Sequence, residues 1–409
     1  MNKLFVGIDV GSRDNAAHIM LPDGGKHSAF PIQNNKGGAQ TVSKRIVSAL
    51  TDTGLKSVVI GIEATSVYGN NLLYFLREDG ALGAFDRKLH VLNPKQVKKF
   101  KEAYSELPKT DPVDAFVIAD SLRFGRIAKA VFEDDYCYKA LQTLTRARFS
   151  AVHNMTREKQ RFMNYLFMKC SGLAQDNAFS NPFGVAALEL YESFRTPDEL
   201  ANMDLKQLAA FISEKGKNRF PDAEKVAAAV ISAAKNSYSL PDPVNASVSQ
   251  ALSISTSTIR AMQAQIKTIE TEIQRQFKNI PNPLISVPGI GLVYSAGLIA
   301  EIGDIHRFDN QAGLAKYSGL AWSKHQSGTF DGEDTHLIHS GNRFLKYYMC
   351  EAAFALVRCD TEYRRYYDLK YKEVNKHQHR RALALTARKF VRLVFRLLKD
   401  NRLYTSAAD

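Results

Sequence analysis

The chain has 409 residues, 45% of them hydrophobic and 24% charged, with a formal net charge of +13. That composition excludes a largely disordered chain and allows two or three domains, each with a buried core. The positive balance favours a polyanionic partner, because each neutralised phosphate releases counterions, and the plainer alternative is a basic protein with no special partner.

Residues 3–8, KLFVGI, read as an apolar strand ending in Asp9. Segments 15–20 and 27–32 continue as two short strands around the turn PDGG at 22–25, and a helix is expected over about 37–50. SVVIGIEA at 57–64 is a second core strand whose end carries Glu63, and LHVLNP at 89–94 reads as another. Pro112 opens a helix to about Leu122. Three antiparallel-looking strands followed by strand–helix alternation predict an α/β domain with a mixed sheet, a pattern that fits a ribonuclease-H-like fold.

From about 138 the chain becomes helical and basic, with Arg146, Arg148, Arg157, Lys159 and Arg161 among apolar residues spaced three or four apart. A less regular helical block covers 172–240 and ends at Pro241 and Pro243. A long helix follows from near Asn245. In it Leu252, Ile259, Ile266 and Ile273 recur every seven residues, Met262 and Ile269 fill the alternate seam, and Ser255 breaks it once. This is the pattern of a coiled-coil hairpin that also serves self-association, and an intramolecular bundle shows the same pattern.

At 281–303, the turn P-G-I-G between apolar segments resembles a helix-hairpin-helix, in which Gly289 and Gly291 would let backbone N–H groups approach phosphates. A tight core connection accounts for the turn equally well. Between Arg343 and Arg402 there are 16 Lys and Arg against 6 Asp and Glu, a net +10, as expected of a phosphate-facing surface. Cys137, Cys170, Cys350 and Cys359 form no CxxC pair, which reads as a reducing compartment without structural zinc. His336 and His339 read as loop or helix-start residues rather than ligands. The first residues carry Asp9 within a short apolar run, unlike a signal peptide, and no run approaches the ~18 residues of a membrane span. A cytoplasmic protein without membrane contact is expected.

The chemistry centres on carboxylates. Asp9 and Glu63 each end a strand, and adjacent strands would place both at one sheet edge. Asp111 and Asp114 in KTDPVDA lie three apart at a helix start, on one helical face. Four acids at one point repel, and two Mg²⁺ ions would relieve that repulsion while forming a phosphoryl-transfer clamp. Singly, each acid also has a structural reading: Asp9 as a turn cap, Asp111 as an N-cap, Asp114 in the favourable first turn, Glu63 on the surface. GIDVGS also resembles the first phosphate loop of actin-like kinases, but no second Gly-rich loop of the DxGG type follows position 111.

GIDVGS (7–12), GIEATSVYG (61–69), KTDPVDA (109–115), VPGIG (287–291) and YSGLAWSKHQSGT (317–329), in this order, resemble the DEDD transposases of the IS110 group of insertion sequences, bridge-RNA-guided recombinases. The resemblance covers both ends of the chain, while the middle matches in helical character alone. It implies a RuvC-like catalytic domain over 1–137, a helical coiled-coil oligomerisation region over 138–280 with its insertion at about 172–240, and a C-terminal transposase domain over 281–409. It places the four acidic, metal-binding positions on Asp9, Glu63, Asp111 and Asp114, and a nucleophile on Ser327, which would form a transient 5′-phosphoserine link. Mg²⁺, donor and target DNA, a structured guide RNA and a homo-oligomer growing from dimer to tetramer are the implied partners. His339 stands where family members carry a lysine, which leaves Arg343 and Lys346 as candidate phosphate contacts. The competing readings are a four-carboxylate junction resolvase without serine chemistry, and a nucleic-acid-binding scaffold with degenerate carboxylates.

Overall fold

The computed structural model describes residues 2–63, 67–104, 107–108, 110–125, 136–322, 326–327, 330–331, 336–338 and 340–405, with backbone alone at 326–327 and 330–331. Ala64, His325 and His339 lie outside the described residues, as does the side chain of Ser327. Two compact units are present, Met1–Asp134 and Asp135–Asp409.

In the first unit, β1 (Leu4–Val10), β2 (Asp14–Met20) and β3 (Lys26–Gln33) form an antiparallel meander. Helix α1 (Lys36–Thr53) then crosses to β4 (Ser57–Glu63), which pairs parallel with β1. Helices α2 (Asn70–Glu78) and α3 (Gly80–Gly83) lead to β5 (Asp86–Leu92), parallel to β4. The sheet order is β3-β2-β1-β4-β5, the mixed sheet expected from the sequence. Helices α4 (Pro94–Lys101) and α5 (Asp111–Phe124) complete the unit. The expected strand at 89–94 ends at Leu92. Asn93 caps α4, its side chain accepting from the Lys95 N–H at 2.9 Å, and Pro94 supplies a helical φ at the first position.

Strand alternation sorts the side chains onto two faces. Leu4, Val6, Ile8, Val58, Ile60 and Ile62 pack with Val42 and Ile46 of α1 and with Leu72 and Leu76 of α2. Phe5 and Val59 point the other way, against Val97 of α4 and Val117, Ile118 and Leu122 of α5. Asp9 and Glu63 share the parity of this second face.

In the second unit, α6 (Tyr136–Lys169) and α12 (Asp242–Phe277) are helices of 34 and 36 residues that pack along each other. They run antiparallel: Arg148 meets Glu270 at 2.7 Å, and Ser255 Oγ donates to Glu158 Oε1 at 2.6 Å further along. Leu252, Ile259, Ile266 and Ile273 are all buried within the chain. Ser255, the break in the heptad, is thus a buried polar bridge rather than a gap.

Between these helices, α7 (Ser171–Gln175), α8 (Val185–Ser193), α9 (Pro197–Ala201), α10 (Leu205–Lys215) and α11 (Ala223–Lys235) build a small core around Tyr191, Phe194 and Ile212 together with Phe162 and Leu252. Beyond α12 come α13 (Leu292–Ile302), α14 (Gln311–Tyr317), β6 (Gln326–Ser327), β7 (Phe330–Asp331), α15 (Arg343–Cys359), α16 (Thr361–Lys372) and α17 (Gln378–Asp400). Their core, with Tyr348, Met349 and Phe390, also takes in Leu141, Ile273 and Phe277 from the long helices. Among the described residues no helix is long and apolar enough to cross a membrane.

The full helix-hairpin-helix expected at 281–303 is not formed. Its first helix is a single 3-10 turn, Pro283–Ser286, opened by Asn282 and limited by two prolines that cannot donate to a longer ladder. Gly289 has a left-handed backbone (φ 80°), and a Cβ there would lie 2.9 Å from the Ala355 carbonyl oxygen. Packing on α15 therefore accounts for that glycine, and it is not free to approach a phosphate. Gly291, the residue before α13, faces open space.

Candidate active site

At one end of the sheet Asp9 and Glu63 lie within electrostatic reach of each other and of Asp114, and Asp9 also of Asp111. Ile8 pairs with Ile62 across the parallel β1–β4 ladder, so Asp9 and Glu63, one residue further, are neighbours on the face covered by α5. Helix α5 reaches them because Gly7 has no side chain. A Cβ at Gly7 would lie 2.1 Å from the Ala115 carbonyl oxygen and 2.4 Å from the Ala119 nitrogen, so nothing larger fits beneath the helix. The first turn of α5, carrying Asp111 and Asp114, is thereby brought over the strand end.

The proton affinities report this convergence. Burial raises the Asp9 pKa first, and the charges of Asp114 and Asp111 raise it further. Glu63 is raised by burial, then by Asp9 and Asp114. These are the desolvation and like-charge effects of a carboxylate cluster. Lys101, from the last turn of α4, sets its ammonium 2.6 Å from Asp114 Oδ1 and also lowers the pKa of Asp9. Among the described residues no three Asp, Glu, His or Cys side chains stand as a ready-made ion cage. The donor set nevertheless fits a hard divalent cation: its ligands are all carboxylate oxygens, two of them are held against ionisation, and a lysine cation already sits on a third.

Ser327 lies in the second unit. It pairs with Phe330 across the two-residue strands β6 and β7. The described residues before and after these strands pair with each other. Trp322 bridges Leu337, the Ile338 N–H donates to the Ala321 carbonyl at 2.9 Å, and the Asn342 N–H donates to the Tyr317 carbonyl at 2.7 Å. Gly341 (φ 134°) passes so near Gly319 that a Cβ would lie 2.6 Å from the Gly319 nitrogen.

These paired residues are fastened by Asn342. Its Oδ1 caps α15, accepting from the N–H groups of Phe344 and Leu345, and its Nδ2 donates to Glu301 Oε2 at 2.7 Å. Glu301 is 1% exposed and also receives Arg146 Nε at 2.7 Å and Nη2 at 2.9 Å. A buried carboxylate with this many donors is a rigid anchor. Arg343 at the start of α15 is exposed, with its guanidinium over the Phe344 ring, and Lys346 is half-buried one turn on.

Sequence reasoning missed Lys101, Glu301, Arg146 and Asn342 as site residues. A lone acid inside the apolar run LVYSAGLIAEI was the available signal for Glu301.

Two family models match the chain. DEDD_Tnp_IS110, described as a transposase, matches residues 6–168, and the transposase IS116/IS110/IS902 family matches residues 282–368. The IS116 insertion-element protein of Streptomyces clavuligerus is 24% identical, aligned over 99% of this chain and 97% of its own length. The IS110 insertion-element protein of Streptomyces coelicolor is 25% identical over 98% and 96%. The chain belongs to the IS110 family of transposases. The IS900 insertion-element protein of Mycobacterium paratuberculosis resembles this transposase at 25% identity over 99% of this chain and 98% of that one. Among solved structures, Thermus thermophilus RuvC in complex with a Holliday junction substrate matches 32% of the transposase and 98% of its own chain, at 17% identity and a TM-score of 0.24. As an IS110-family transposase the protein is an enzyme of DNA transposition, and DNA is its partner.

Proposed function

We propose that this transposase cuts and rejoins DNA through a 5′-phosphoserine intermediate on Ser327, with Asp9, Glu63, Asp111 and Asp114 holding the divalent ions that the reaction needs. The observation that carries the reading is the convergence of these four acids at the β1–β4 strand ends, where Asp9 and Glu63 are driven above the ordinary carboxylate range.

In this scheme Ser327 Oγ attacks a DNA phosphorus and gives up its proton. The bond from phosphorus to the 3′ oxygen breaks, and that oxygen leaves as a 3′-hydroxyl. The 5′ side stays esterified to the serine until the 3′-hydroxyl of the exchanged strand attacks and restores Ser327. Each step replaces one phosphate ester by another, so strands exchange without ATP. A serine hydroxyl is a weak nucleophile at its ordinary pKa. Two Mg²⁺ ions would activate it and stabilise the leaving oxygen. The paired residues on either side of Ser327, Tyr317 with Asn342 and Ala321 with Ile338, fastened on Glu301, would tether the segment that carries the hydroxyl.

Following the family resemblance, residues 1–137 serve as the RuvC-like catalytic domain, 138–280 as the oligomerisation region and 281–409 as the transposase domain. A structured guide RNA selects donor and target DNA. The protein works as a dimer that pairs into a tetramer, Ser327 of one protomer meeting the carboxylates of another. Gly291, Arg343 and Lys346 are the phosphate contacts.

The test is a denaturing gel of the wild type with labelled element-end DNA and its guide RNA. A slow-migrating protein–DNA adduct is expected, absent in Ser327→Ala and Asp111→Ala alike. Full cutting by Ser327→Ala would overturn the serine chemistry and leave a RuvC-like metal nuclease, the reading that the carboxylates alone support. Cutting that persists in Asp111→Ala would overturn both.

A further inference from the structure

At the carboxyl end of β1 and β4, on the face opposite α5, lies a cavity of 470 Å³ that the strand-transfer scheme leaves unused. Its floor is apolar, with Leu72 and Phe75 of α2 and Ala39 of α1. Its walls are side-chain amides, including those of Asn15 and Asn71, and Lys36 and Tyr68 complete the lining. Asn15 is 4% exposed. Its Oδ1 accepts from the Gly11 N–H at 3.2 Å, while its Nδ2 has no hydrogen-bond partner. An unpaired buried donor is costly, and a ligand acceptor would relieve it. Tyr68 is 49% exposed, so about half of the residue is open to solvent at the cavity.

The cavity is fastened to the acidic strand end. Asn34 Nδ2 donates to the Gly11 carbonyl at 2.9 Å and to the Tyr68 carbonyl at 3.2 Å. Gly11 is two residues from Asp9, and Tyr68 is five from Glu63.

We propose that this cavity takes one unpaired nucleobase of the DNA strand that the transposase acts on. A flat ring with polar edges suits an apolar floor, an aromatic lid and amide walls. Amides pair with base edges because they present a donor beside an acceptor, and bases stack on exposed aromatic rings. A phosphate alone would leave the apolar floor uncovered. The ammonium of Lys36, at the start of α1, suits the phosphate that accompanies the base. Enzymes that do chemistry on a base hold it in a pocket outside the stack, and capturing a base in the same way here would fix the register of the backbone against the carboxylates. The proposal rests on the reading of Asp9, Glu63, Asp111 and Asp114 as the cutting site.

The experiment uses the full chain, in EDTA so that nothing is cut, and a DNA duplex with a single bulged 2-aminopurine. The wild type is expected to bind it about tenfold more tightly than the same duplex fully paired, with a change in 2-aminopurine fluorescence as the base stacks. Tyr68→Ala, at an exposed position, brings the two affinities within about twofold while binding of paired DNA is unchanged. Asn15→Asp keeps the acceptor for Gly11 and removes the donor, and it shows the same loss, with thermal melts confirming both folds. A wild type that does not discriminate, variants that discriminate as well as the wild type, or a bulged RNA bound as tightly as bulged DNA would each overturn the proposal. Cutting is measured separately in Mg²⁺. A wild type that cuts without preferring the bulge fails the pocket alone, and an intact preference with no cutting fails the carboxylate reading alone.

Discussion

Burial and the neighbouring carboxylates raise the proton affinity of Asp9 and Glu63, and at neutral pH that cost is borne by the fold of the first unit. A carboxyl group whose folded pKa is raised stabilises the fold below its unfolded pKa, and the contribution is lost as pH rises through the folded value. At pH 7.5 the raised pKa values of Asp9 and Glu63 therefore make the cluster a destabilising feature of the fold. Asp9→Asn, nearly isosteric and neutral, should raise the melting temperature in EDTA by roughly 2–4 °C. That advantage should shrink as pH falls through the raised folded pKa of Asp9 and be gone below about 4, where the carboxyl is protonated in the folded and unfolded chains alike. Mg²⁺ should raise the melting temperature of the wild type and barely move that of Asp9→Asn, because an ion that binds the folded state alone stabilises it. Differential scanning fluorimetry in EDTA and in Mg²⁺ reads all three effects, and a variant melting at or below the wild type in EDTA would refute the account. Asp9 and Glu63 were legible in the sequence because each ends an apolar strand, and the D-x-x-D pair because Pro112 marks a helix start. Lys101 was not, since nothing in PKQVKKFK distinguishes it from Lys95, Lys98 or Lys99. Only the tertiary placement of α4 turns that lysine onto Asp114.

At the level of elements, a heptad reports that a helix face is buried and says nothing about which chain covers it. The spacing of Leu252, Ile259, Ile266 and Ile273 marked α12 correctly as a long helix, and in the fold that seam lies along α6 of the same chain. The antiparallel course of the pair was hidden as well, because it is set by contacts about a hundred residues apart, such as Ser255 with Glu158 and Arg148 with Glu270. Helices α2 and α4 escaped the sequence reading because both are short, nine and eight residues. The internal seam leads to an expected outcome. Ile259 is fully buried, so Ile259→Ala should cost about 2–5 kcal/mol of stability by leaving a cavity between α6 and α12. Urea unfolding should show a lowered midpoint, while light scattering on the folded variant shows an unchanged mass. A folded variant of normal stability that falls to a smaller species would show instead that the seam joins two chains.

Across the whole chain the cores divide between two units, two in Met1–Asp134 and two in Asp135–Asp409. Each unit thus has the apolar interior needed for its own melting transition. The first also contains two buried histidines under its sheet, His18 on β2 and His90 on β5, each 6% exposed. Across the ladders they pair with Gly7 and Gly61, which puts both on the α5 face. His18 lies edge-on to Phe116, and one ring nitrogen of each, Nε2 of His18 and Nδ1 of His90, has no hydrogen-bond partner. Burial lowers both pKa values, helped by Lys26 at His18, where Asp120 opposes it, and by Lys88 at His90. A histidine with a depressed folded pKa contributes stability that is present above about pH 6.5 and lost as pH falls through the folded value, because the unfolded chain then binds the extra proton. Asp9 and Glu63 act in the opposite direction, adding stability as pH falls, so a net loss of stability on acidification from about pH 6.5 has to come from the histidines. Calorimetry in EDTA should show the transition of the first unit moving to lower temperature between pH 7.5 and 5.5. In the double variant His18→Gln, His90→Gln that movement should flatten even if the variant starts from a lower stability. A first-unit transition that stays put over this range in the wild type, or that moves equally in the double variant, would mean that proton uptake at these two rings does not set the acid limit of the first unit.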